Sequence, residues 1–265
     1  MRNCEKCGFK HWIKPRKKDN RWVEIKVGED MVWVRQWLCA NRDCSHLQTE
    51  EKPYIERRPR ILYYDIETSK MTLEVKTFGL KMYNPYLHWE DIKKPPFLIC
   101  WSAAWIPTDD YDVRHIRPMT GRVTGTEAKR RNDKRCVKEL WELMDEADFL
   151  VGHNVKAFDT KKVHTRFILN KLPAPDLSVK QIDTLSIARK YFKNDSNTLG
   201  YWLERFGKAP KDDMKGEDWD LCEAGDEKTL RKMQKYNKRD VIGGIELFLE
   251  FKQYIESGGG RLYKW

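Results

Sequence analysis

Hydrophobic and polar positions change period repeatedly along this chain. Near the start, Arg21-Trp22-Val23-Glu24-Ile25-Lys26-Val27 alternates, Gly28-Glu29-Asp30 breaks the run, and Met31 to Leu38 resumes it, the pattern of a β-hairpin. From residue 60 onward, short apolar runs and helical spacings take turns. Ile61 to Ile66 reads as a buried strand, Phe97 to Trp105 as a second, and Tyr111 to Ile116 as a third beside it. Cys136, Leu140, Trp141 and Met144 recur at helical spacing and predict a helix over 133–146. A strand at Phe149-Leu150-Val151, a helix over 160–172 and a strand near Ile182 come next, then helices over 185–192, 199–206 and 226–255. Three strands in succession followed by alternating strands and helices predict an α/β fold, a mixed sheet flanked by helices. Residues 70–96 form a long connection containing Tyr and Pro between the first two of these strands, of the length that serves function or covers a face.

A change of composition places a boundary near residue 58. Residues 1–44 hold four of the seven cysteines and four of the eleven tryptophans, and the polar stretch Gln48 to Pro53 leads to Pro59. Two domains are therefore expected, a small module with its linker over 1–58 and a larger one over 59–265. The net charge is +10, and residues 1–58, with 14 basic and 9 acidic side chains, carry half of it. Basic excess favours a polyanionic partner, nucleic acid first. No apolar stretch is long enough for a membrane helix, and no apolar segment follows the basic start, so a cytoplasmic protein with no membrane partner is expected.

Two constellations carry chemistry. The first is Cys4-x2-Cys7 and Cys39-x4-Cys44, one pair on each side of the hairpin. Thiolates so spaced can converge on one tetrahedral zinc, and a module this small needs such a staple. The segment looks like a zinc ribbon. His46 lies close enough to replace Cys44. The second constellation is acidic. Asp65-Ile66-Glu67 ends a buried strand, where alternation puts both carboxylates on one side. Burying two acids together is costly unless a cation neutralises them. Asp159 lies near a helix start, and Tyr236 and Asp240, four apart, share a helix face.

With those motifs in hand, residues 60–250 resemble the exonuclease fold of the DEDD superfamily, which is ribonuclease H-like. The likeness is greatest to its tyrosine branch (DEDDy), represented by the proofreading domains of family B DNA polymerases. Asp65 and Glu67 match the first motif, Asp159 in His153-Asn154-x3-Phe158-Asp159 the second, and Tyr236-x3-Asp240 the third. Ile182-Asp183-Thr184-Leu185 and Asn197-Thr198-Leu199-Gly200 are similar to family sequence between them. Thr77-Phe78-Gly79-Leu80 is similar to stand-alone phage exonucleases. The resemblance implies a 3′→5′ exonuclease working through two Mg or Mn ions, with one structural zinc in the N-terminal module. Asp65 would bridge both ions, Glu67 and Asp240 would complete the first, Asp159 would support the second, and Tyr236 would orient the attacking water. DNA is the expected substrate, single-stranded or frayed, with replication or repair proteins as candidate partners. An exoribonuclease shares every catalytic residue, and a zinc-ribbon adaptor that only grips strands is the third reading. Asp183 reads as a strand-end hydrogen-bonding partner, and Trp101 and Trp105 as core. His153 and Asn154 can touch substrate or serve structure. Phe78, Tyr83 and Tyr86 can stack on bases or cover a core face.

Overall fold

A computed structural model describes residues 6–7, 12–13, 23–27, 30–39, 43–44, 47–53, 59–74, 88–107, 112–175, 179–208 and 214–257. For 12–13, 23–27, 30–39, 47–53 and 256–257 the description is confined to the backbone. The chain divides into two compact units, Met1–Arg58 and Pro59–Trp265. In the first, strands β1 (Trp12–Ile13), β2 (Val23–Val27) and β4 (Leu47–Pro53) all pair antiparallel with β3 (Asp30–Cys39). The expected hairpin is β2–β3, with Val27 opposite Asp30.

The second unit begins with β5 (Ile61–Thr68), the centre of a five-stranded sheet. A small pair follows, β6 (Thr72–Leu73) against β7 (Ile92–Lys94), within the long connection. Strands β8 (Leu98–Ile106) and β9 (Met119–Arg122) complete an antiparallel meander. Helices α1 (Gly125–Lys129) and α2 (Lys134–Asp145) lead to β10 (Phe149–Gly152), then α3 (Asp159–Leu169) to β11 (Lys180–Asp183). Helices α4 (Thr184–Tyr191), α5 (Leu199–Arg205), α6 (Gly216–Glu223), α7 (Glu227–Glu250) and α8 (Lys252–Ser257) finish the unit. The sheet order is β11-β10-β5-β8-β9, with β10 and β11 parallel to β5, so the expected α/β mixed sheet flanked by helices is what the chain forms.

Strand β5 is apolar on both faces because both are covered. Ile61 and Tyr63 pack with Val241, Ile245 and Phe248 of α7, while Leu62, Tyr64 and Ile66 share a core with Leu140 and Met144 of α2 and Val163 and Phe167 of α3. Burial of such side chains contributes roughly 1.5–3 kcal/mol each. Trp101 and Trp105 belong to the second of these cores.

Two expectations need correction. The segment expected as a strand over 111–116 holds a 3-10 turn at Val113–His115, because the Asp112 carboxylate accepts from the Arg114 amide at 2.9 Å and closes the chain on itself. The strand beside β8 is Met119–Arg122 instead. The helix expected over 226–255 ends at Glu250, capped by Phe251, before α8. Helices α1 and α6 have no counterpart among the expected helices. Among the described residues, no helix is long and apolar enough to cross a membrane.

Candidate metal centre

Side chains at 61, 63, 65 and 67 of β5 share the face turned toward α7, so the alternation that buries Ile61 and Tyr63 carries Asp65 and Glu67 to the same side as the strand leaves the sheet. The β5–β8 register shifts between Glu67 and Thr68, the kind of irregularity that turns a strand at a functional site. Across this end runs α7. Its buried positions include Leu230, Met233, Asn237, Asp240, Val241 and Gly244, a helical stripe with an amide and an acid among apolar residues. The stripe lies flush on the sheet at Gly244, where any Cβ would collide with the Tyr63 hydroxyl and ring.

As a result, carboxylate oxygens of Asp65, Glu67 and Asp240 all lie within 4.8 Å of one another. Asp240 is buried and the other two are half-buried. Asn237 donates from Nδ2 to Asp65 Oδ2 at 2.6 Å, and its own Oδ1 is buried with no hydrogen-bond partner among the described residues. Tyr236 sits one turn before Asp240, half-buried against the larger core. Asn237 was not singled out by motif. Its signal is a polar amide in phase with the buried stripe Met233, Asp240 and Gly244.

Asp159 is held beside this cluster by a different device. Strand β10 follows β5 only as far as Val151 opposite Tyr63. Beyond that point the Ile66 amide donates to Asp159 Oδ1 at 3.2 Å, so a side chain at the start of α3 continues the ladder where the neighbouring strand has left. Tyr64 bonds Thr160 Oγ1 at 2.8 Å and secures the same helix end. Burial pushes the Asp159 carboxyl up to about 7, with the nearby Asp183 charge adding to the rise and the Ile66 amide opposing it. Burial also raises the Tyr63 phenol, and the fields of Asp65, Asp159, Asp240 and Asp183 raise it further, so four acids surround one neutral hydroxyl.

Asp183 has the structural part expected of it. It caps α4 by accepting from Leu185 and Ser186 amides, and it accepts from Asn154 at 3.0 Å and Lys156 at 3.2 Å. Those bonds hold the loop between β10 and α3, in which Asn154 takes a left-handed φ of 69°. His153 is structural as well, its ring nitrogens each 2.9 Å from Thr184 Oγ1 and the Asn197 carbonyl.

The residues named from sequence thus divide. Asp65, Glu67 and Asp240 converge, Asp159 lies against the same strand outside that trio, and Tyr236 flanks it. Of the zinc set, Cys7 and Cys44 each sit in a turn and Cys39 ends β3, while Cys4, His46, the Cys39 side chain, Phe78, Tyr83 and Tyr86 lie outside the described residues.

Chemically, three hard oxygen donors within one ion's reach suit Mg or Mn, and gathering them is costly without a cation. No protein-family model matches the chain, and no curated protein does. Among solved structures, the chain is similar to the family B DNA polymerase from the hyperthermophilic archaeon Pyrobaculum calidifontis, with a TM-score of 0.53 and 13% identity. The likeness covers 85% of this chain and 29% of the polymerase, so the chain spans less than a third of that protein and shares its fold over that part.

Proposed function

We propose that this protein is a divalent-metal-dependent 3′→5′ exonuclease of the DEDDy type, acting on DNA ends that are single-stranded or frayed. The approach of Asp65, Glu67 and Asp240 to within 4.8 Å carries the reading. The fold shared with a DNA polymerase and the basic balance of the chain support it. Asp65, Glu67 and Asp240 would hold one ion, and Asp65 with Asp159 a second. Such ions supply Lewis-acid stabilisation of the charge that develops on a phosphodiester and lower the pKa of water.

The chain's own residues do the rest. Asn237 keeps the Asp65 carboxylate from rotating by donating to one of its oxygens. Asp159, bonded to the strand that carries Asp65 and Glu67, stands ready to accept a ligand's share of charge as it loses its proton. Tyr236 would orient the attacking water through its hydroxyl. Cys4, Cys7, Cys39 and Cys44 would hold a structural zinc in the module over 1–58, with His46 as the alternative to Cys44.

The test is incubation of 5′-labelled single-stranded DNA, and RNA of the same sequence, with Mn²⁺ and with EDTA. A DNA ladder shortening from the 3′ end only with metal is the expected result. Digestion of RNA alone would reassign the substrate. An unchanged band on both would leave a strand-gripping protein without catalysis.

A further inference from the structure

Between Lys228 and Arg239, α7 carries six cationic side chains, Lys228, Arg231, Lys232, Lys235, Lys238 and Arg239, and no acid. At 3.6 residues per turn they fall within an arc of roughly 120°, on the side away from the buried Leu230, Met233 and Asn237. Lys238 is half-buried and the other five are exposed. The stripe runs about 16 Å along the helix. It ends at Arg239, the residue before Asp240 in sequence and about 100° from it around the helix. The rest of the helix, Val241 to Glu250, has two acids and no cation.

A helix face that needs only solvation mixes its signs. Opposite charges three or four residues apart stabilise a helix, and like charges at the same spacing destabilise it. Here 228/232, 231/235 and 235/239 are cation pairs four apart, and 228/231, 232/235 and 235/238 are cation pairs three apart. Lys232 meets Asp218 of α6 at 2.8 Å. Glu227, just before the stripe, meets the Arg122 guanidinium at 2.9 Å and the Gly125 amide at 2.6 Å and also feels the charge of Arg231, as Asp226 feels that of Lys228. The arrangement costs the helix self-repulsion that a polyanion would relieve. No aliphatic or aromatic anchor interrupts the arc, and protein interfaces are poor in lysine at their cores, so a protein partner fits badly.

We propose that this stripe is the track for the phosphodiester backbone of a single nucleic-acid strand and leads it to the cluster at Asp65, Glu67 and Asp240. The inference rests on the exonuclease reading for its destination and on the stripe alone for the binding. Full-length protein is titrated against 5′-fluorescein oligothymidylate by anisotropy, in EDTA, between about 50 and 200 mM salt. The variant Lys228→Gln/Arg231→Gln/Lys235→Gln is compared with a control, Lys129→Gln/Lys134→Gln/Lys138→Gln, which removes the same charge from α1 and α2.

The stripe variant should bind at least about tenfold more weakly at low salt, and its log–log salt dependence should be shallower by about 2, at roughly 0.7 per lost phosphate contact. Its Tm should be unchanged or higher, because repulsion is removed. Its Mn²⁺-dependent hydrolysis of a p-nitrophenyl nucleotide ester should match wild type, because that substrate is too short to reach the stripe. Unaltered affinity and slope, an equal loss in the control, or a loss of binding to a polyglutamate peptide without a loss for the oligonucleotide would each overturn the track. Stripe-dependent binding by a protein that hydrolyses nothing would sink the exonuclease reading and leave the track standing. Hydrolysis with stripe-independent binding would do the reverse.

Discussion

Two acidic settings in this molecule invite comparison. Asp133, at the start of α2, has a fully buried carboxylate that accepts from Arg166 Nε at 2.6 Å and Nη2 at 2.7 Å, from Asn170 at 3.0 Å and from the Leu98 amide at 2.8 Å. Its charge is neutralised and its oxygens are engaged within the fold. At the other setting, Asp65, Glu67 and Asp240 lie close to one another, and Asn237, a neutral amide, donates to Asp65. Both settings pay desolvation. One recovers it from a guanidinium, whereas the other gathers three carboxylates at a spacing that suits a cation. The difference separates an acid that builds the fold from acids that could hold a metal ion, although composition treats all four alike.

Substitutions that should act on only one side of this contrast test it. Asp65→Asn should reduce metal-dependent cleavage on the order of 10³-fold or more while Tm holds. Near-wild-type turnover by the metal-loaded variant would remove Asp65 from the site. Asp133→Ala should do the opposite, costing about 3–5 kcal/mol because Arg166 is left unpaired. That corresponds to a Tm drop on the order of 10 °C, and an unchanged melting curve would show that the pair contributes nothing net.

Asp159 belongs to both settings, being bonded within the fold yet placed at the cluster, and pH should expose this. Its folded pKa of about 7 exceeds the ordinary 3.8, so the folded chain holds the proton that the unfolded chain releases. Stability should therefore fall as pH rises from about 4 to 7, a loss that Asp159→Asn escapes. In EDTA the variant should melt a few degrees above wild type at pH 8, and a gap independent of pH would contradict the assignment. Asn237→Leu should weaken Mn²⁺ binding about 10- to 100-fold, read by calorimetry, with little change in fold. Unchanged affinity would reduce Asn237 to packing. The smallest effect should be that of Tyr236→Phe, about tenfold in kcat. A loss beyond about 10² would mean proton transfer by the phenol rather than positioning of water.

Much of this was legible in residue order, for reasons that differ by element. Strand β5 and helices α2 and α7 announce themselves because each buries a continuous face, which leaves a clean period. Helix α6 does not, since its eight residues set Trp219, Leu221 and Cys222 among acids and only Cys222 is buried. The run before β9 alternates like a strand, but one Asp112 hydrogen bond turns it into a 3-10 element, a local bond that periodicity does not see. At the site, Asp65, Glu67 and Asp240 could be named by spacing. That Asp159 replaces a missing strand at Ile66, and that Asn237 reaches Asp65, depends on where β10 ends and how deep α7 sits. Those are properties of packing between segments far apart in the chain.

The depth of α7 has an evolutionary consequence. Gly244 lies one turn past Asp240 and touches the Tyr63 hydroxyl, while Tyr63 lies two residues before Asp65 on the same strand face. The gap between strand acids and helix acid is thus gauged by the length of one tyrosine against a bare backbone. A methyl group at 244 would lift the helix and open the trio. Positions 63 and 244 should therefore drift together in related sequences that keep the three acids, a side chain at 244 being admitted where residue 63 is shorter than tyrosine.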